Sequence, residues 1–232
     1  MHPEGPYRRI PGKWLGPVRG HQGESSPWTP QHRGVPPVRG VAELVGSNRT
    51  ITVSPNLRFA LTGPEGIGKT TLMENLIKSR PMQPGQAGGR LFTSSYEYLA
   101  QHGDTLDEHA TALENVQAAA PATSVSIIRK HLARFLLRGN NANRLVSTIA
   151  ADERARISLA RLLVAAPSAE LLAIDEPAAT CNPRATEQLV EALNNYQGAL
   201  IVISSRRDFL ARLGLDAVLR LGPRGTLSEN PV

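Results

Sequence analysis

Two short segments of this chain carry residue types at spacings suited to phosphate chemistry. The first is Gly63-Pro64-Glu65-Gly66-Ile67-Gly68-Lys69-Thr70, in the order G-x-x-x-x-G-K-[ST]. Glycines at that spacing let backbone N–H groups curl around phosphate oxygens, and the helix that follows turns its positive N-terminal end to the same point. Lys69 adds a full charge at the β/γ-phosphates, Thr70 supplies a hydroxyl suited to Mg²⁺, and Thr71 extends the set into the helix. The second segment, Leu171-Leu172-Ala173-Ile174-Asp175-Glu176-Pro177, is an apolar run that ends in adjacent carboxylates. One carboxylate at a strand tip can hold Mg²⁺ through water or Thr70, and the next can polarise an attacking water. Asp175 takes the first role and Glu176 the second. Alone, each segment has an ordinary structural reading, a glycine turn or the end of a buried strand. Together and in this order they favour a nucleoside triphosphate site.

The flanking residues predict the elements that such a site needs. Leu57 to Leu61 reads as a strand entering the loop, and Thr71 to Lys78 as a helix leaving it. The interval before the second motif leaves room for another strand and a helical insert. Leu106 to Ala120 and Val125 to Arg138 read as its helices, with Ile127, Ile128, Leu132, Phe135 and Leu136 on one apolar face. Basic Arg129, Lys130, Arg134 and Arg138 on that stretch read as a solvated face before an RNA contact.

Composition separates an arm from a domain. Residues 1–40 are crowded with Pro, Gly, Arg and Ser and lack an apolar period, which predicts disorder; residues 41–232 form one medium domain. Residues 1–39 hold six Lys or Arg against two acids, so four of the six net positive charges sit in the arm. The basic balance therefore describes a tail, read as a solvated linker or as an RNA contact, and not a basic folded surface. A single cysteine, Cys181, rules out an intrachain disulfide and fits a reducing compartment. With no uncharged apolar run approaching the length of a transmembrane segment, the chain reads as cytoplasmic.

Further stretches resemble the ATP-binding cassette (ABC) ATPases, most closely their soluble ABC-F branch. Glu153-Arg154-Ala155-Arg156-Ile157-Ser158-Leu159-Ala160-Arg161-Leu162-Leu163 resembles that branch's E-R-x-R-x-x-L-A-R-x-L helix. Val190 to Ser204 resembles its E-A-L-x-x-Y-x-G-A-L-x-V-V-S helix and strand; Arg207, Phe209 and Leu210 fit the next helix, and Ala217 to Gly222 the last strand. The resemblance implies an α/β P-loop NTPase of the ABC nucleotide-binding-domain type, with a mixed sheet core and a helical subdomain over roughly residues 104–165. It further implies ATP and Mg²⁺ as cofactors, a second ABC cassette as partner in a homodimer or heterodimer, and, by kinship alone, a ribosome or RNA. The helical subdomain is also the region through which transporter-type cassettes dock membrane subunits.

Departures from the family pattern fall on the composite site at which two such cassettes hydrolyse ATP. The signature loop, normally L-S-G-G-Q, reads Ile149-Ala150-Ala151-Asp152, without the serine and with an anion where a glycine approaches phosphate. An offset using Ser147 would restore a hydroxyl but no glycine. The switch histidine is replaced by Ser205, since every histidine falls at or before His131. Tyr96 stands at the expected place of the Mg²⁺-sensing glutamine, with Glu97 as a substitute, and Asn182 at that of an aspartate. No adenine-stacking aromatic is visible between Val41 and Ile51. The expectation is Mg-ATP binding with weak or partner-dependent hydrolysis. A non-catalytic regulatory or remnant cassette and the ATPase subunit of a membrane transporter are the alternatives.

Overall fold

Short runs rich in Leu, Ile and Val make the centre of the molecule, and they are strands because they are too short and too uniformly apolar to be surface helices. The computed structural model describes residues 9–10, 13–14, 40–80, 85–101, 106–135, 137, 139–177, 181 and 183–230. Within the region expected to be a disordered arm, two short strands, β1 (Arg9–Ile10) and β2 (Lys13–Trp14), pair antiparallel. The rest of that expectation lies outside the described residues.

Three strands, β3 (Ala42–Val45), β4 (Thr50–Val53) and β6 (Gly88–Leu91), form an antiparallel sheet with β3 in the middle. Six more form the main sheet: β5 (Arg58–Thr62), β7 (Tyr96–Leu99), β8 (Leu171–Asp175), β9 (Ala199–Ile203), β10 (Ala217–Leu221) and β11 (Leu227–Asn230). Their order is β11-β10-β5-β9-β8-β7, parallel throughout except for the antiparallel β10–β11 pair. The sheet is therefore mixed, and the strand expected to be last is followed by another.

The helices are α1 (Lys69–Ile77), α2 (Ala112–Ala119), α3 (Val125–Arg134), α4 (Ala151–Ala165), α5 (Pro183–Asn195) and α6 (Arg207–Leu210). Every position of β8 and β9 is buried, as expected of parallel strands covered on both faces. On one face Leu172, Ile174, Leu200 and Val202 pack with residues of α4, α5 and α6. On the other, Leu171, Ala173, Ile201 and Ile203 pack with α1 and the three-stranded sheet. The result is an α/β P-loop NTPase architecture, with α2, α3 and α4 as the helical portion.

Local chemistry explains where the elements depart from expectation. The helix expected from Leu106 begins only at Ala112, because Thr111 caps it. Glu114 N–H donates to Thr111 Oγ1, and Thr111 N–H donates back to the Glu114 carboxylate. Upstream, the Asn115 side chain accepts from Asp107 N–H and donates to the Asp107 carbonyl, fixing a non-helical approach. Helix α3 stops at Arg134, and Gly139 follows at φ 58°. Its inner face is Ile128, Leu132 and Phe135, spaced by four and three; Ile127 is turned outward and 45% exposed, a correction to the expected face. Leu136 lies outside the described residues. Leu57 N–H closes a turn on the Ser54 carbonyl, so the strand into the phosphate loop runs one residue later than expected.

That strand is pinned at its start by Arg58. Its guanidinium, buried beneath the end of α5, donates to the carbonyls of Leu193 (2.9 Å), Tyr196 (3.0 Å) and Gly214 (2.7 Å). Its backbone N–H donates to Asp216 Oδ2 at 2.8 Å. Burial lowers the Arg58 pKa from the usual arginine value, while the charge of Asp216 opposes the shift.

Candidate functional site

At the other end of β5, Thr62 leads into Gly63, whose φ of 147° is open to glycine and strained for other residues. A Cβ there would lie 2.6 Å from the Leu221 carbonyl oxygen of β10. The loop then passes Pro64 and Glu65, turns at Gly66, and enters α1 through Gly68 and Lys69, with the Ile67 N–H reaching back to the Pro64 carbonyl at 3.4 Å. No side chain caps α1, and no acid stands in its first turn. Helix-start N–H groups of this kind are donors for an anion. Lys69 folds back over the loop, its Nζ donating to the carbonyls of Gly63 and Pro64 at 3.0 Å each.

Helix α1 also carries Thr70 to the tip of β8, two strands away from β5. Thr70 Oγ1 donates to Asp175 Oδ2 at 2.5 Å, across 105 positions of sequence. Asp175 is 1% exposed. The next residue, Glu176, is held at φ 47° with its N–H on the Ile203 carbonyl, a conformation that costs a non-glycine residue about 1–3 kcal/mol. Its Oε2 accepts weakly from Ser204 Oγ (3.4 Å) and Ser205 Oγ (3.3 Å). The side chain at the expected histidine position is thus a serine that touches the second carboxylate.

These groups surround one cavity of about 770 Å³. Gly63, Glu65, Gly66, Gly68, Lys69, Thr70 and Thr71 line it from the loop side, and Asp175, Glu176, Ser204 and Ser205 from the strand tips. Pro64 and Ile67 shape the loop without lining the cavity; Ile67 packs on the core. Among the described residues, no aromatic side chain lines it. A larger cavity, of about 950 Å³, lies at the opposite ends of the strands, by Ser94, Glu170 and Gly198, away from every phosphate-loop residue. The larger volume carries none of the chemistry.

Neither Tyr96 nor Glu97, the expected places of the glutamine, lines the cavity. Tyr96 opens β7 and packs against the cluster beneath α1. Glu97, one residue on, does not line the cavity; burial raises its carboxyl pKa, opposed by the Arg161 charge on α4. Gln101, two residues past the end of β7, lines the cavity with Lys69 and Asp175. It was missed because its position depends on where β7 ends, and loops that follow the carboxyl ends of parallel strands are where ligands are met. Tyr98 lies behind the site. Its hydroxyl is buried without a hydrogen-bond partner among the described residues. Burial, with smaller contributions from Asp175 and Glu74, pushes its pKa up to about 12.

The signature region stays away from the cavity within this chain. Ala150 is the N-cap of α4 in an extended conformation and offers no side-chain bond, and Ala151 begins the helix. Ser147 sits in a short 3₁₀ turn, its N–H on the Glu108 carbonyl. Asp152 contributes backbone to α4, and Asn182 lies outside the described residues.

Thr70 and Asp175 are both hard oxygen donors, the type that suits Mg²⁺. Among the described residues, no group of three His, Cys, Asp or Glu side chains is arranged to hold a metal alone. A Mg²⁺ here would share its shell with phosphate oxygens and water, its usual habit in nucleotide sites. No helix among the described residues is long and apolar enough to cross a membrane.

Comparison with known proteins matches residues 47–179 to the family described as ABC transporter. Among curated relatives, the probable ATP-binding protein YheS of Haemophilus influenzae is 32% identical over 165 residues, covering 69% of this chain and 25% of that protein. ATP-binding protein Uup of Escherichia coli is 31% identical over 159 residues, covering 66% and 24%. ABC transporter F family member 5 of Arabidopsis thaliana is 28% identical over 173 residues, covering 74% and 25%. This chain thus matches about a quarter of each relative's length. A solved structure titled as the ATP binding subunit of an ABC transporter superposes with a TM-score of 0.62 at 18% identity, covering 82% of this chain and 90% of that one, a likeness of fold.

Proposed function

This chain belongs to the ABC transporter family of ATP-binding domains, close to the ABC-F branch, and from that premise we propose that it is a cassette that binds Mg-ATP and hydrolyses it weakly or only with a partner. The observation that carries the reading is the Thr70–Asp175 hydrogen bond, which joins the phosphate loop to the acidic strand tip with Lys69 beside it. In this reading the loop N–H groups and the start of α1 bind the β- and γ-phosphates. Lys69 exchanges the carbonyls of Gly63 and Pro64 for phosphate oxygen. Thr70 and Asp175 would hold Mg²⁺, which would supply charge to draw electron density from the phosphates. Glu176 accepts a proton from the attacking water, and Gln101 orients that water.

Weak turnover follows from the groups that a composite site between two cassettes would need. Ser205 stands where a histidine would meet the γ-phosphate, and Ala150 has no hydroxyl to offer a partner's nucleotide. Losing one preorganised contact of this kind typically costs about 10²–10³ in rate. A second cassette with an intact signature would complete this half-site. A ribosome or RNA is a further partner that the ABC-F kinship suggests, and the cytoplasm is the corresponding location.

The test is equilibrium binding of Mg-ATP to the wild type and to Lys69→Ala, with GTP as competitor. Binding that is lost in the variant is the expected result. Equal binding by both would remove the site, and no binding by a folded wild type would favour the non-catalytic reading.

A further inference from the structure

Two arginines on the rim of the phosphate cavity play no part in the mechanism above. Arg207 opens α6, just after Ser204 and Ser205 at the end of β9. Arg220 lies on β10 opposite Thr62, the residue that leads into the loop. Because β5 runs between β9 and β10, α6 after β9 brings Arg207 to one side of the loop strand and β10 brings Arg220 to the other, and both line the cavity. Both are exposed, and among the described residues neither guanidinium has a hydrogen-bond or ion-pair partner. Their neighbours differ: Arg206 is tied to Asp208 at 2.8 Å, and on the helical side Arg154 pairs with Glu108 at 2.7 Å.

The charges lining the cavity give these side chains a use. Without them, Lys69 alone would face three carboxylates, Glu65, Asp175 and Glu176, and a polyanion would enter a site of its own sign. With them, cations and carboxylates are equal in number. A guanidinium also offers a planar fork that matches two phosphate oxygens.

We infer that Arg207 and Arg220 form a second phosphate-binding pair, which takes the terminal phosphate of the bound nucleotide from within the same chain where a histidine in place of Ser205 would have made one contact. The inference rests on the triphosphate reading and makes it more specific. It assigns the discrimination between triphosphate and diphosphate to these two side chains, without a second cassette.

The experiment compares Mg-ATP and Mg-ADP affinities of the full chain for wild type, Arg207→Gln, Arg220→Gln and the double variant. Each single change should weaken Mg-ATP roughly tenfold while leaving Mg-ADP nearly unchanged, the scale of one lost charge-assisted contact. Replacing both by lysine keeps the charge without the fork and should restore part of the ATP preference. An unchanged ATP-to-ADP ratio in the double glutamine variant would overturn the assignment. So would an equal loss of both nucleotides, the mark of general attraction. A folded wild type that binds neither nucleotide would defeat the triphosphate reading and this inference together, whereas a wild type that binds both with an insensitive ratio would defeat this inference alone.

Discussion

Alanine at Gly63 and at Gly66 should separate two demands on the phosphate loop. Both glycines have positive φ, 147° and 72°, and such a conformation costs an alanine about 1–3 kcal/mol. They differ in the space around them. A Cβ on Gly63 would meet the Leu221 carbonyl oxygen at 2.6 Å and Ile67 Cγ2 at 3.2 Å, whereas one on Gly66 meets nothing within 4 Å. The Leu221 oxygen is backbone in a buried strand, so it can yield only if β10 or the loop moves, and overpacking of that kind adds about 1–3 kcal/mol. Gly66→Ala should therefore lose about 1–3 kcal/mol and Gly63→Ala about 2–6 kcal/mol, against a total stability of about 5–15 kcal/mol. Urea unfolding measures both, provided the dependence on denaturant is shared. Mg-ATP binding of the still-folded fraction should fall at least about tenfold for Gly63→Ala, because the displaced loop carries the Lys69 anchor. The reasoning fails if Gly63→Ala is no less stable than Gly66→Ala and retains its affinity.

Removing the Tyr98 hydroxyl should cost nothing without nucleotide, because that hydroxyl is buried with no partner among the described residues. Tyr98→Phe should melt at the wild-type temperature or gain up to about 1 kcal/mol, and a clear loss would expose a partner not counted. The capping box of α2 predicts an acid response. Hydrogen bonds from the Thr111 backbone and hydroxyl hold the Glu114 carboxyl below its ordinary 4.5, so its contribution is present above that value and is lost as pH falls through the lower folded value. Glu114→Gln should flatten the acid side of the stability profile, and an unaltered acid limb would refute the assignment.

The phosphate loop and the acidic strand were legible in the sequence because their chemistry is contiguous: Gly63 to Thr70 and Leu171 to Glu176 carry their own geometry. The pairing of Thr70 with Asp175 could be anticipated from roles, though only the fold supplies the contact. What lay beyond reach depends on how strands end and which strands are neighbours. Gln101 is not singled out by the sequence because an apolar-aromatic stretch does not declare its last paired residue, and here pairing with β8 ends at Leu99, two residues before it. Arg220 is remote from the loop in sequence and acquires meaning only once β10 is placed beside β5. Ile127 is exposed although the pattern points it inward, because helical spacing alone cannot choose between adjacent positions at the edge of an apolar stripe.

Arg58 gives the loop strand a second attachment far from the nucleotide. Through one side chain, the start of β5 holds the final carbonyls of α5 and the chain before β10. Fraying of α5 would strip a buried cation of its acceptors, so that helix and the loop strand should open as one cooperative unit in amide hydrogen exchange. Protection of the β5 amides would then track that of α5, and a ligand held at the loop would slow exchange at a helix end it never touches.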